Sequence, residues 1–145
     1  MKFFKQIENN TCNIIAIQTV LSFFNQYSTF KEIEKELPKH SFGNTLKEIQ
    51  TYLNKRGIKT KLFSDISKKD IKINPIIVNV DAVKIRRQKG KQVPHYVVLL
   101  KEGKDLYLYD GASFKRKVKR SFEEIYNSSL DMNRFHENGM WLVTK

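Results

Sequence analysis

The chain has 145 residues, with 27 Lys and Arg against 15 Asp and Glu, a formal charge of +12. That length suits one domain, residues 1–145, with a real core and nothing left for a second. A 40% hydrophobic share excludes a disordered chain, and a single cysteine excludes a disulfide framework or a Cys-rich zinc site.

The N-terminal segment Met1–Glu8 lacks the apolar stretch of a secretory signal, and no apolar run approaches the ~18 residues of a membrane span. Asn9, Asn10 and Thr11 are N-cap types. After them Ile14, Ile17, Val20, Leu21 and Phe24 recur at helical spacing, predicting a buried amphipathic helix over about 12–26. Thr29 predicts the cap of a second helix with Phe30, Ile33 and Leu37 inward, ended by Pro38. Asn44 or Thr45 predicts the cap of a third, with Leu46, Ile49 and Leu53 inward and Gly57 as its stop.

Beyond Gly57 the pattern turns to strands. Residues 58–63 alternate, 75–80 form a continuous apolar run suited to a central strand, and 95–100 form another. Glu102-Gly103-Lys104 predicts a turn and 106–109 the returning strand; residue sums near 205 would set Asp110 opposite His95. A short strand over 114–118, a helix capped by Ser121 with Phe122, Ile125 and Tyr126, and a final strand over 139–144 complete the reading. Helices first and then a mostly antiparallel sheet is an α+β order.

The charge is uneven. Residues 84–120 hold twelve Lys and Arg against Glu102, Asp105 and Asp110. The two clusters, 84–91 and 115–120, are not interleaved with aromatics as a base-stacking surface would be, and no nucleic-acid-binding motif accompanies them. A solvated basic surface is the plain alternative.

Cys12 opens the first predicted helix, where the unpaired N–H groups and the macrodipole favour an anion such as a thiolate. With an imidazolium beside it, such a thiol falls from about 8.5 into the range of about 3.5–7.5. An inert, half-buried thiol is the competing reading. Of the three histidines, His40 and His136 lie in polar, loop-like stretches, whereas His95 heads an apolar strand after Pro94. Asp110 sits at the far end of the same hairpin, where a carboxylate would orient the imidazole and favour its cation; a turn residue in Asp-Gly is the alternative. Gln6, six residues before Cys12, can offer a carboxamide N–H to an oxyanion together with the backbone N–H of Cys12. Together these supply a nucleophile, a base, an orienter and an oxyanion donor.

Gln6-x5-Cys12 at the head of a helix, then His95-Tyr96-Val97-Val98-Leu99 and Tyr109-Asp110, resembles the papain-like bacteriocin-processing cysteine peptidases, peptidase family thirty-nine. Many of these are N-terminal domains of ABC exporters that cut leader peptides after a double glycine; others stand alone. The resemblance covers roughly residues 3–145. It implies a papain-like fold, with Cys12 as nucleophile, His95 as general base and then acid, Asp110 as orienter and Gln6 as oxyanion donor. Three positions depart from the family pattern: Asn13 replaces its usual Gly, Gly111 its usual Pro, and Thr11 a frequent acid. Asn13 either narrows the oxyanion region or faces away, and Gly111 is expected to loosen the turn. No Walker motif or membrane segment follows, so a stand-alone domain is expected rather than a complete exporter.

The reading that results is a thiol hydrolase cleaving a peptide or isopeptide bond through an acyl-enzyme, with no cofactor or metal. A deamidase or acyl-transferase effector with the same triad is the alternative, as is a non-catalytic peptide- or nucleic-acid-binding domain. The expected partner is a peptide or protein substrate, acidic if the basic cluster flanks the site. An effector would also have a protein inhibitor or immunity partner; nucleic acid is the weaker expectation. Cytoplasmic location is expected, or delivery as part of a secreted effector.

Overall fold

A computed structural model describes residues 1–6, 11–41, 43–112, 116–130, 132 and 137–145. The helices are α1 (Cys12–Phe23), α2 (Phe30–Glu36), α3 (Leu46–Lys55), α4 (Ala82–Ile85) and α5 (Phe122–Leu130). The strands are β1 (Thr60–Phe63), β2 (Ile76–Asp81), β3 (Pro94–Glu102), β4 (Asp105–Tyr109), β5 (Val118–Lys119) and β6 (Trp141–Thr144). They form one sheet in the order β1-β6-β2-β3-β4-β5, with every neighbouring pair antiparallel. Among the described residues, no helix is long and apolar enough to cross a membrane.

Local chemistry sets the helix ends. Thr29 accepts from the N–H of Glu32, and Thr45 and Glu48 form a reciprocal capping box at the head of α3. Helix α1 stops at Phe23, short of the expected residue 26. Asn25 takes a left-handed φ of 57°, and the N–H groups of Asn25 and Gln26 fold back onto the carbonyls of Ser22 and Leu21. Asn9 and Asn10 lie outside the described residues, and Thr11 is the N-cap of α1 without a side-chain cap bond. The strand expected over 114–118 lies partly outside the described residues; β5 covers only Val118–Lys119.

The continuous apolar run of β2 follows from burial on both faces. Ile77 joins Val98, Leu142 and the inward residues of α1, α2 and α3, among them Ile17, Ile33 and Leu53, in one core layer. Ile76, Val78 and Val80 face the other way, into a second layer with Leu99, Leu108, Ile125 and Trp141. Helices therefore cover both faces of the sheet, with α4 and α5 opposite the N-terminal three.

The β3–β4 hairpin differs from expectation by two residues. Glu102 pairs with Asp105, Leu100 with Tyr107 and Val98 with Tyr109, so paired residues sum to 207 rather than 205. The loop is two residues, Gly103-Lys104, and Gly103 takes the left-handed φ of 61° that its first position requires. Asp110 is therefore diagonal to His95 rather than opposite it. Because side chains alternate with period two, the slip leaves both on the same face.

Candidate active site

His95 is the second residue of β3, and its N–H donates to Oδ1 of the buried Asn79 on β2, 3.1 Å away. Asp110 follows β4 with a fully buried side chain. The diagonal is closed by a 2.7 Å hydrogen bond between His95 Nε2 and Asp110 Oδ1. Cys12, at the first turn of α1, is 8% exposed, and its thiol hydrogen-bonds the His95 side chain. Three residues far apart in the chain thus meet at one end of the sheet.

The electrostatics follow from these contacts. Burial opposes a charged imidazole, but its hydrogen bonds to Asp110 and Cys12, and their negative charges, outweigh it and raise His95 to about 9. Burial likewise pushes Asp110 up, but the hydrogen bond and charge of His95, followed by those of Arg86, hold it down at about 2. The arrangement favours an imidazolium beside an ionised carboxylate.

Gln6 lies in the extended N-terminal segment. Its backbone N–H donates to the Gly111 carbonyl at 3.0 Å, which docks the segment directly beside Asp110. Gly111 sits where the N-terminal segment crosses the turn after β4. A Cβ on Gly111 would strike the carbonyl oxygen of Phe4 and come within 3.0 Å of Gln6 N and Lys5 Cα. Only glycine lets the two segments cross this closely.

Asn13 is buried, and its Nδ2 donates to Asn44 Oδ1 at 2.6 Å. The side chain is thereby turned toward the loop ahead of α3, where it lines a cleft with Thr11, Ile14, Pro38 and His40. Asn44 also donates to the Pro38 carbonyl, and its own carbonyl receives the Tyr96 hydroxyl. Tyr96 in turn reaches the buried Glu137, whose other oxygen takes the Leu46 N–H at the start of α3. The residues after Cys12 and after His95 are joined through this polar network.

His40 pairs with Glu48 at 2.9 Å; His136 lies outside the described residues. Much of the basic cluster is used internally. Arg87 pairs with Glu124, Lys117 with Glu102, Lys119 with Asp105, and Arg120 donates to the Ile85 carbonyl. Arg86 reaches the site itself, with Nε 3.0 Å from Asp110 Oδ2 and Nη2 3.3 Å from Oδ1. Sequence reasoning missed Arg86 and Asn79. The only signal for Arg86 was membership of the basic cluster, and Asn79 was the one polar residue in an apolar run.

The three-layer arrangement, with a long helix opening on a cysteine and packed against an antiparallel sheet, is that of the papain-like cysteine peptidases. The chain belongs to the Peptidase C39 family, whose model matches residues 1–132, and it is accordingly a cysteine peptidase. Three solved structures share its fold. One is a double-glycine motif protease from an AMS/PCAT transporter, crystallised with the leader peptide; it is 20% identical, with a TM-score of 0.71 over 99% of this chain and 90% of that one. Another is the peptidase domain of Streptococcus ComA, a bi-functional ABC transporter involved in quorum sensing, at 18% identity and TM-score 0.72 over 99% and 96% of the two chains. The third, from Streptococcus mutans ComA, is 18% identical with TM-score 0.64 over 100% and 99%. No curated protein matches the chain.

Proposed function

We propose that residues 1–145 act as one peptidase domain that cleaves a peptide through a Cys12 acyl-enzyme, with His95 and Asp110 completing a triad. The observation that carries this reading is the relay from the Cys12 thiol through the His95 ring to Asp110, 2.7 Å from Nε2. With Nε2 engaged by Asp110, Nδ1 is the ring nitrogen left for the thiol.

The thiolate attacks the scissile carbonyl carbon, and its electron pair forms the C–S bond while the carbonyl π pair moves to oxygen. The Gln6 carboxamide and the Cys12 backbone N–H receive that oxyanion. Imidazolium His95 protonates the leaving amine as the C–N bond breaks. His95, now neutral, then takes a proton from water as its oxygen attacks the thioester carbonyl; the C–S bond breaks with its electron pair on sulfur, releasing the acid and restoring the thiolate–imidazolium pair. Asp110 holds the ring orientation throughout and favours its cation.

The substrate class proposed is a leader peptide ending in a double glycine, since a solved relative of the same fold holds a leader peptide. The free thiol suits a reducing compartment, and the cytoplasm is the location proposed.

The test is a synthetic double-glycine leader peptide incubated with the protein and read by mass spectrometry. Cleavage after the second glycine is expected, with Cys12→Ala lowering kcat roughly 10³-fold or more. Gln6→Ala should lower kcat by about 10²-fold with little change in KM. Unchanged cleavage by Cys12→Ala refutes the reading. A gain of about one mass unit on an intact peptide, from an amide converted to an acid, would instead indicate deamidation.

A further inference from the structure

We infer that Arg86 is a positioning residue of the peptidase site: it clamps Asp110 side-on, keeps it ionised, and so keeps the shared proton on His95. The inference rests on the triad reading above and adds a fourth charged member to it.

The geometry is a fork. Arg86 Nε donates to Asp110 Oδ2 at 3.0 Å and Nη2 to Oδ1 at 3.3 Å, while Oδ1 also takes His95 Nε2 at 2.7 Å and the Ala112 N–H at 3.2 Å. Both carboxylate oxygens are therefore held, and the carboxylate plane cannot rotate without breaking a charge-assisted bond. The Arg86 side chain is itself largely buried, at 18% exposure against 0% for Asp110.

Its anchor is well fixed. Asp81 Oδ1 accepts from the N–H groups of Val83 and Val93, and Ala82 N–H donates to the Val93 carbonyl, so the segment carrying Arg86 is closed at its base. Arg86 is the C-cap of α4. Arg87, next in line, takes a left-handed φ of 57° and grips Glu124 of α5 through Nε and Nη2 at 3.0 and 2.9 Å. The two arginines thus diverge, one outward to a surface carboxylate and one inward to the site.

Charge explains why the site needs it. The charged and titratable groups against His95 are Cys12 from α1 and Asp110 after β4; those against Asp110 are His95 and Arg86 from α4. In the active protonation state Cys12 and Asp110 are negative and only His95 is positive, leaving one uncompensated negative charge in a buried place. Arg86 makes the row alternate and sum to zero. Without it, burial would favour a neutral Asp110, which no longer stabilises the imidazolium.

The test uses the intact protein and iodoacetamide, whose alkylation of Cys12 reads the thiol–imidazole pair without any peptide. The pH–rate profiles of wild type, Arg86→Gln and Arg86→Lys are compared. Removing the cation lets Asp110 become neutral and stop supporting the imidazolium, so the alkaline limb, set by His95, should move downward by roughly one pH unit. Arg86→Lys keeps the charge and should return the limb toward wild type. In leader-peptide cleavage Arg86→Gln should lower kcat by about tenfold with KM nearly unchanged, and Arg86→Lys should recover only part of that because it lacks the fork. Alkaline limbs that coincide in all three proteins overturn the inference, even with a lowered rate, since a merely structural role would act through stability alone. If the limbs move but Cys12→Ala still cleaves, the arginine inference stands and the peptidase assignment of this site falls.

Discussion

The backbone N–H of Gln6 donates to the Gly111 carbonyl oxygen at 3.0 Å, so the segment bearing one proposed site residue is fastened beside another, Asp110. The crossing is tight enough that Gly111 has no room for a Cβ. Where the family pattern has a Pro, this chain uses glycine to bring two strands of backbone together.

Gly111→Ala should therefore cost about 1–3 kcal/mol of stability by overpacking and lower kcat by displacing Gln6. Denaturant unfolding and leader-peptide cleavage measure the two effects. A variant with wild-type midpoint and wild-type kcat would show that the N-terminal segment is not held by this crossing.

The raised His95 gives the stability a definite pH dependence. Its folded value of about 9 lies above the ordinary 6.5. The contribution is thus fully present below about 6.5 and is lost as the pH rises through about 9. The melting temperature should fall between pH 7 and pH 10, and His95→Gln should flatten that fall. Asp110 has the opposite sign: held near 2 against an ordinary 3.8, it contributes above about 3.8 and loses that contribution as the pH drops through about 2. Thermal melts across pH check both limbs.

Asn44 connects the residue after the thiol to the loop ahead of α3. Asn44→Ala removes the acceptor of the buried Asn13 amide and the donor to Pro38. A loss of about 1–3 kcal/mol is expected, from leaving a buried polar group unpaired. Asn44→Ala combined with Asn13→Ala should cost less than the sum of the singles, because the pair disappears together. Additive losses in the double-mutant cycle would show that the two side chains do not act as a pair.

Local patterns carried most of the architecture. Caps at Thr29, Thr45 and Ser121 and the periodicity of the apolar residues are nearest-neighbour signals, and each marks an observed helix. The pairing of His95 with Asp110 was legible because a hairpin constrains register to within a residue or two. The loop reads from sequence as Glu102-Gly103-Lys104, whereas Glu102 pairs with Asp105 and the paired residues sum to 207 rather than 205. Helix α4 escaped notice because four residues show no period, and Arg86 escaped with it. The contacts of Glu137 with Tyr96 and with Leu46 span 41 and 91 residues, and nothing local in the sequence announces them.

Strand β6 lies between β1 and β2, although it follows both far along the chain, Trp141 coming well after Phe63 and Asp81. During synthesis Cys12, His95 and Asp110 all emerge before Trp141–Thr144 does. Until those four residues insert, β1 has no neighbour, one edge of β2 is bare, and the helical layer over the sheet lacks Leu142. Such distant pairing is slow to nucleate, because the loop entropy is lost before the contacts form. Closure of the sheet thus waits on a strand that supplies none of the residues gathered around Cys12.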